Sequence, residues 1–190
     1  MNRNLAEYIR RYIEIDDDEL AIFNSFLKER DVDKKQYLFR SASVCKSKYF
    51  ILEGCFRLFY VDKKGNEQIM HFGIENWWIT DYDSLLNKTP SELNLQAIEG
   101  SKVLELNGID LEDLYDQLPK AERLFRIIAQ KTYIASQRRL QFMFSLSGEE
   151  MYEKFRDFNP AFTQRVPQYM LASYLGFTPE FLSKIRGKKS

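Results

Sequence analysis

The sequence contains very few of the side chains that bind metals or act as catalytic nucleophiles. It has two cysteines, Cys45 and Cys55, and a single histidine, His71. The cysteines stand in no CxxC or other metal-ligand spacing, so buried free thiols are the expected state. Any nucleophile–histidine pair would have to use His71. This composition predicts no metal site and no cofactor, and it argues against an enzyme.

Long apolar runs are missing as well. No stretch approaches the roughly 18 consecutive apolar residues that a membrane span requires, although hydrophobic residues make up 44% of the chain. The N-terminal segment has neither an apolar signal core nor a small-residue cleavage site. We therefore expect a soluble protein that acts in the cytoplasm.

The charges are unevenly distributed along the chain, although the formal net charge is zero. Residues 1–117 contain 15 basic and 22 acidic side chains, a balance of −7, whereas residues 118–190 contain 13 basic and 6 acidic ones, a balance of +7. Charged helices are usually just solvated faces. An asymmetry between the two halves nevertheless favours a C-terminal part that meets a polyanion.

The hydrophobic pattern changes near residue 34. Apolar residues recur at helical spacing over the first thirty residues, where Asp16–Asp18 offer an N-cap to a second helix. Turn signals such as Asp62–Asn66 then separate short stretches rich in aromatic and β-branched residues. These stretches predict an antiparallel β-roll, interrupted by a short helix and a loop between Trp77 and Pro90; they are QYLF, KYFILEG, CFRLFYV, EQIMHFG, NLQAIEG and SKVLEL.

A long helix is predicted after Leu118-Pro119. It spans roughly 27 residues without internal glycine or proline. Its apolar face either packs on the β-roll of the same chain or meets the same helix of a second subunit, and we favour the homodimer. The residues expected to form the dimer contacts are Leu124, Ile127, Ile128, Ile134 and Ala135.

The segment from Val166 onwards contains two short helical patterns around Gly176. The glycine ends the first helix in a conformation that other residues tolerate poorly. Thr178 then suits the N-cap and Pro179 the first helical position, while Phe177 can pack onto Leu182 as a hydrophobic staple. These signals agree on one boundary and predict a helix-turn-helix. Its inward-facing residues are Leu171, Ala172, Leu175, Leu182 and Ile185.

The exposed face of the second helix suits the major groove of DNA. A glutamate near the start of such a helix can accept from cytosine, and lysine or arginine can donate to guanine. An ordinary αα-hairpin with a solvated charged face is the alternative, but the cap, the glycine spacing and the charge asymmetry together favour DNA binding. The predicted DNA-binding residues are Gln168, Thr178, Pro179, Glu180, Ser183, Lys184, Arg186 and Lys188.

Three segments resemble the Crp/Fnr superfamily of bacterial transcription regulators. The most specific is VPQYMLASYLGFTPEFLSKIR, and EGCFRLFYVDKKGNEQ and LNGIDLEDLYDQLP support it over the β-roll and its exit. The predicted fold class is therefore α+β. It comprises a jelly-roll-like β-roll of the cyclic-nucleotide-binding type with flanking helices (1–117), a long dimerisation helix (118–147) and a C-terminal helix-turn-helix domain (148–190).

The resemblance implies which residues read the DNA and which partners to expect. The family uses an Arg/Ser-x-Glu-x-x-x-Arg-like pattern, which falls here on Pro179, Glu180 and Lys184. Because Pro179 replaces an arginine that is frequent at its position, the family's familiar target sequence is not expected. Double-stranded DNA and a second copy of the chain are the expected partners, with an unknown small-molecule effector and RNA polymerase as further candidates.

The β-roll departs from its cyclic-nucleotide-binding relatives at the phosphate position. In those members a Gly-Glu pair holds the ribose, and an Arg-Ser pair before an Ala-x-x-x-Ala strand neutralises the phosphate. Glu75 matches the first glutamate, but alignment on Ala97 places Ser91 and Glu92 at the Arg and Ser positions. An acidic side chain beside a phosphate is unfavourable, so we expect no response to cyclic AMP.

The sequence does not decide between several other effectors and functions. An iron–sulfur cluster needs about four cysteines, and aromatic clusters in a roll are more often core than ligand pocket. Two alternative functions are a cupin-like small-molecule-binding protein or enzyme with a helical interaction domain, and a protein-interaction module without DNA affinity. The residues that would line an apolar ligand pocket are Phe72, Glu75, Trp77, Trp78 and Tyr82.

Overall fold

The computed structural model describes residues 3–158 and 160–187. Within these ranges a β-roll with helices at both ends is followed by a long helix and a cluster of short ones. The elements in chain order are α1 (Arg3–Arg10), α2 (Asp17–Ser25), β1 (Leu27–Val32), β2 (Tyr37–Phe39), β3 (Ser47–Glu53), β4 (Phe56–Val61), β5 (Glu67–Gly73), β6 (Trp78–Ile79), α3 (Tyr82–Asn87), β7 (Asn94–Ala97), β8 (Ser101–Asn107), a 3₁₀ turn (Gly108–Asp110), α4 (Leu111–Gln117), α5 (Lys120–Ser145), α6 (Gly148–Phe158), α7 (Pro160–Arg165), α8 (Gln168–Leu175) and α9 (Pro179–Gly187).

The strands form two four-stranded sheets, with the orders β1-β8-β3-β6 and β2-β7-β4-β5. The pairs β1–β8, β3–β8, β3–β6, β2–β7 and β4–β7 are antiparallel. Strand β3 is buried on both of its faces from Ser47 to Leu52, which explains why the residues from Tyr49 to Leu52 are apolar without alternation. The arrangement confirms the predicted α+β fold with an antiparallel β-roll.

Local sequence signals account for several element boundaries. The carboxylate of Asp16 accepts from the Glu19 backbone N–H at 2.8 Å, and the carboxylate of Glu19 accepts from the Asp16 N–H at 3.1 Å. This reciprocal pair is a capping box that fixes the start of α2. In the β4–β5 hairpin the Asp62 carboxylate accepts from the N–H groups of Lys64 and Asn66, and these hydrogen bonds hold the pKa of Asp62 below its usual value.

Two details of the predicted β-roll were wrong. The segment Leu27–Val32, which fell partly within the predicted helical region, forms edge strand β1 and pairs residue by residue with β8 from Ser101 to Leu106. Trp78–Ile79 forms the short strand β6 and pairs with Tyr49 and Phe50, where only a helix and a loop were predicted. In both cases pairing with a distant strand decides the backbone conformation.

The chain divides into two compact units. The first comprises residues 3–60 and 71–130, and the second comprises residues 61–70 and 131–187. The first unit has a large core shared by the roll, the N-terminal helices and the first turns of α5. The second unit has a small core of its own in the short C-terminal helices. Across the described residues, no helix combines the length and apolar character needed to cross a bilayer.

Candidate DNA-binding surface

The helix-turn-helix lies at residues 168–187. Helix α8 ends at Gly176, which has a left-handed φ of 77°. The Gly176 N–H donates to the carbonyl oxygens of Ala172 and Ser173. Helix α9 begins at Pro179, and the Thr178 hydroxyl accepts from the Phe181 N–H at 3.2 Å. The glycine stop, the threonine cap and the proline at the first helical position are therefore all confirmed.

A small buried core fixes how the two helices cross. Ala172 and Leu182 are fully buried, and because the alanine side chain is small, the helices approach closely at this point. Phe177 packs against this core and meets the ring of Phe181 edge-on, with 5.2 Å between centroids. The residues of the core are Tyr152, Leu171, Ala172, Leu175, Leu182 and Ile185.

The packing leaves one polar face of α9 in solvent. Glu180, Ser183 and Lys184 are exposed, and positions three and four apart lie on the same side of a helix. The structure therefore brings together three of the predicted DNA-binding residues. Thr178 and Pro179 are exposed at the start of α9, whereas Lys188 lies outside the described residues.

Gln168 and Arg186, also predicted to bind DNA, line a cavity of about 990 Å³ between the short helices. Arg156 and Arg165 line the same cavity, and Asp157 pairs with Arg156 at 2.8 Å. Three arginines around the N-terminus of α8 make this cavity suitable for a phosphate group. Arg156 was not predicted from the sequence, because this residue lies on α6, away from the helix-turn-helix pattern.

Helix α8 is also anchored within the second unit by two polar residues. The Ser173 hydroxyl accepts from the Ile69 N–H at 3.0 Å and donates to the Glu67 carbonyl at 2.9 Å. The Arg139 guanidinium donates to the carbonyl oxygens of Met70 and Tyr174, each at 2.6 Å. These contacts attach α8 to the hairpin strand and to α5. No local pattern predicts them, because the partners are 35 to 106 residues apart.

The predicted dimer residues of α5 fall into two groups. Leu124 and Ile128 are buried in the core of their own chain and Ile127 is half-buried against it, so these side chains have little area left for a second subunit. Ile134 and Ala135 are exposed. Further exposed apolar side chains follow along the same helix: Tyr133, Leu140, Met143 and Phe144.

The five predicted ligand residues of the roll do not form one pocket. Phe72 is buried, and Trp77 stacks on His71 with 5.7 Å between ring centroids. The Glu75 carboxylate accepts from the Gly54 N–H at 2.9 Å, which gives it a structural role in the turn after β3. Trp78 and Tyr82 lie instead near the N-terminal part of α5, around Phe125 and Lys48.

The phosphate position of the roll contains a carboxylate. Ser91 is buried and its hydroxyl donates to the carboxylate of Asp81 at 2.6 Å. Asp81 is itself buried and caps α3 by accepting from the N–H groups of Asp83 and Ser84. Glu92 is exposed. The sequence analysis identified the missing arginine, but it did not identify Asp81 as the acidic group that lies against Ser91.

Within the described residues, no group of three or more His, Cys, Asp or Glu side chains is placed to hold a metal ion.

The architecture is a β-roll joined by one long helix to a helix-turn-helix. This combination defines a class of two-part proteins in which a β-roll precedes a helix-turn-helix.

Comparison with known proteins shows what the chain is similar to. Residues 29–118 match the cyclic nucleotide-binding domain family. The regulatory protein HlyX of Actinobacillus pleuropneumoniae is 24% identical over 176 residues, which cover 87% of this chain and 72% of HlyX. The fumarate and nitrate reduction regulatory protein of Yersinia pestis is 25% identical over 177 residues, which cover 87% of this chain and 70% of that protein.

The fold is shared with solved structures of the same type. FixK2 from Bradyrhizobium japonicum superposes with a TM-score of 0.71 at 16% identity, over 85% of this chain and 83% of FixK2. These matches show that the chain has the fold of FixK2 and is similar in sequence to HlyX and to the fumarate and nitrate reduction regulatory protein, which agrees with the resemblance of the three segments.

Proposed function

We propose that the chain is a sequence-specific transcription regulator that binds DNA in the cytoplasm as a homodimer. The observation that supports this most directly is the exposed face of α9. The Thr178 cap and the buried Leu182 orient this helix so that Glu180, Ser183 and Lys184 face solvent. A glutamate and a lysine four residues apart match the cytosine acceptor and guanine donor roles of a recognition helix.

The cavity beside α8 supplies the sequence-independent part of the proposed binding. Arg156, Arg165 and Arg186 line it together with Gln168. Each phosphate that such residues neutralise releases counterions, so the logarithm of the affinity falls by about 0.9 per phosphate for each tenfold rise in salt. We therefore expect a steep salt dependence, with α9 providing the sequence preference.

Dimerisation is supported by the exposed apolar residues on the last turns of α5. Tyr133, Leu140 and Phe144, with the polar Gln137 between them, follow the alternating four-and-three spacing of a coiled-coil seam. Leu140 is 53% and Phe144 88% exposed. A second copy of the same helix would cover this seam through two-fold symmetry. A two-fold dimer predicts a palindromic site with half-sites about 34 Å apart.

Selection of bound duplexes from a random DNA pool by the purified chain tests the function. We expect enrichment of a palindrome whose affinity falls steeply between two salt concentrations. Lys184→Gln should lose the preference at one base pair of each half-site, whereas Lys28→Gln, an exposed lysine on β1, should bind as the parent does. Sequence-independent binding that Lys184→Gln leaves unchanged would contradict the assignment of α9.

Sedimentation equilibrium tests the dimer separately. Replacing both Leu140 and Phe144 with glutamine should raise the dimer dissociation constant at least about tenfold, because it removes apolar area from the seam. Lys28→Gln changes an exposed residue on β1, away from α5, and should leave the constant unchanged. A monomeric parent chain, or equal effects of the two changes, would exclude this seam.

A further inference from the structure

Lys48 is a largely buried cation for which the described residues provide no counter-ion. Its side chain projects from β3 and the residue is 4% exposed. The ammonium lies 4.2 Å from the ring centroid of Phe125 and 5.1 Å from that of Tyr82. Among the described residues, no carboxylate, carbonyl or hydroxyl group accepts a hydrogen bond from it. Burial of an unpaired charge is strongly unfavourable, and proteins rarely tolerate it without a reason.

A second buried donor lies beside the same ring. The indole N–H of Trp78 is buried, and within the described part of the chain it has no hydrogen-bond acceptor. The Trp78 ring meets Phe125 at 5.1 Å and Phe50 at 5.3 Å between centroids. Buried donors without acceptors are uncommon, and each one requires an explanation. Here this indole N–H and the Lys48 ammonium both lie against one phenylalanine.

Both donors lie outside the β-roll, between one sheet and the helices that cover it. Side chains alternate along a strand, so Lys48 and Phe50 share a face of β3. Phe50 meets Tyr8 of α1 at 5.1 Å, and Lys48 meets Phe125 of α5. The location is therefore distinct from the position of Ser91 and Asp81, where the phosphate of a cyclic nucleotide would have to bind.

The surroundings define the chemistry of a ligand. An ammonium and an indole N–H can only donate, so the missing partner is an acceptor, and the positive charge favours an anion. The remaining surface is formed by aromatic rings, which accommodate an apolar body. We propose that this cluster of Lys48, Trp78, Phe50, Phe125 and Tyr82 binds an apolar monocarboxylate, with the carboxylate on the donors and the apolar part against the rings.

Tyr82 provides the entrance. Its ring lies over the Lys48 ammonium and is 37% exposed, so it separates the lysine from solvent. It stands at the start of α3, a helix whose position the buried Asp81 cap fixes. Rotation of the Tyr82 side chain therefore exposes Lys48 without movement of the helix backbone. Exposed side chains make such rotations rapidly.

Isothermal titration of the full chain with octanoate and with phenylacetate tests the proposal without any DNA. We expect saturable binding of at least one carboxylate with a dissociation constant below about 1 mM. Octan-1-ol and octylammonium should bind far more weakly, because the first lacks the charge and the second repels Lys48. Lys48→Met should weaken carboxylate binding at least about tenfold, Trp78→Phe should weaken it to a smaller extent, and Lys28→Met should have no effect.

The outcomes separate clearly. No saturable binding of either carboxylate overturns the proposal, as does equal binding by the parent chain and Lys48→Met, or octan-1-ol that binds as tightly as octanoate. Since the readout is direct binding to the first unit, failure of DNA binding in the earlier experiment would leave the result unaffected.

Discussion

Replacing Lys48 with methionine should stabilise the chain at neutral pH. Burial lowers the pKa of the Lys48 ammonium from 10.5 to about 8. Since one pKa unit corresponds to about 1.4 kcal/mol, the buried charge costs about 3 kcal/mol of folding free energy. The contacts with the rings of Phe125 and Tyr82 are lost in the variant and offset about 1–2 kcal/mol of that gain. We therefore expect a net stabilisation of about 1–2 kcal/mol.

The pH dependence distinguishes this electrostatic effect from a change in packing. Below pH 8 the lysine is charged in both the folded and the unfolded chain, so the full cost is present. Between pH 8 and 10.5 the folded chain has lost a proton that the unfolded chain still binds, and the stability of the parent rises with pH. The advantage of Lys48→Met should therefore shrink over this window and be absent above it.

Urea unfolding followed by tryptophan fluorescence provides the assay. Both tryptophans of the chain, Trp77 and Trp78, lie in the first unit, so the signal reports on the unit that contains Lys48. Lys28→Met serves as the control, because Lys28 is an exposed residue on β1. A Lys48→Met variant that is less stable than the parent at pH 7, or whose advantage is the same at pH 7 and pH 10, would refute the reasoning.

Three further predictions concern the stability of the chain. Asp81→Ala removes the α3 cap and the hydrogen-bond partner of Ser91, so it should lower the unfolding free energy by about 1–3 kcal/mol. Glu92→Ala should change the unfolding free energy little. Chemical unfolding measures both variants. Gly54→Ala should lower the unfolding free energy by about 3 kcal/mol or more, because φ is 105° and a Cβ would lie 2.8 Å from the Ser101 Cα. Gly176→Ala should lower it by only about 1 kcal/mol, because the nearest atom to its Cβ would be 3.9 Å away. Circular dichroism of the melting transition compares the two variants. Cyclic AMP at about 1 mM should leave the melting temperature of the parent unchanged, and a rise would show that the roll binds it.

The sequence predicted those parts of the fold that depend on neighbouring residues. The capping box of Asp16 and Glu19, the turn at Asp62 and the Thr178 cap all use donors and acceptors within a few positions. Strand β1 was missed because the alternation of charged and apolar residues along it is weak. Its identity depends on β8, whose paired residues are 69 to 79 positions away. Local chemistry was sufficient for helix ends and turns, but an edge strand is defined by its partner.

The same distinction applies to the candidate site. Glu180, Ser183 and Lys184 were predicted together because one helix presents them, whereas Arg156 joins the surface only through the packing of α6. The helical periodicity of α5 also did not show which of its apolar residues are buried in the core of their own chain and which are exposed. Leu124 is buried by the roll and Leu140 is exposed, yet both follow the helical pattern. Which apolar residues remain for a partner depends on how far the core of the first unit extends along the helix.

The buried polar residues of the first unit show why Lys48 is unusual. The Ser47 hydroxyl donates to Glu105 at 2.7 Å, the Arg57 guanidinium to Gln96 at 2.9 Å and the Ser84 hydroxyl to the Thr89 carbonyl at 2.6 Å. In these cases folding replaces a lost water contact with a protein partner. The Lys48 ammonium has no such partner among the described residues and lies, like the indole N–H of Trp78, against Phe125. A methionine at position 48 would remove the cost of burying this charge. Binding of an anion at that point explains why the charged residue is useful there, and it links the predicted gain in stability of Lys48→Met to a predicted loss of carboxylate binding in the same variant.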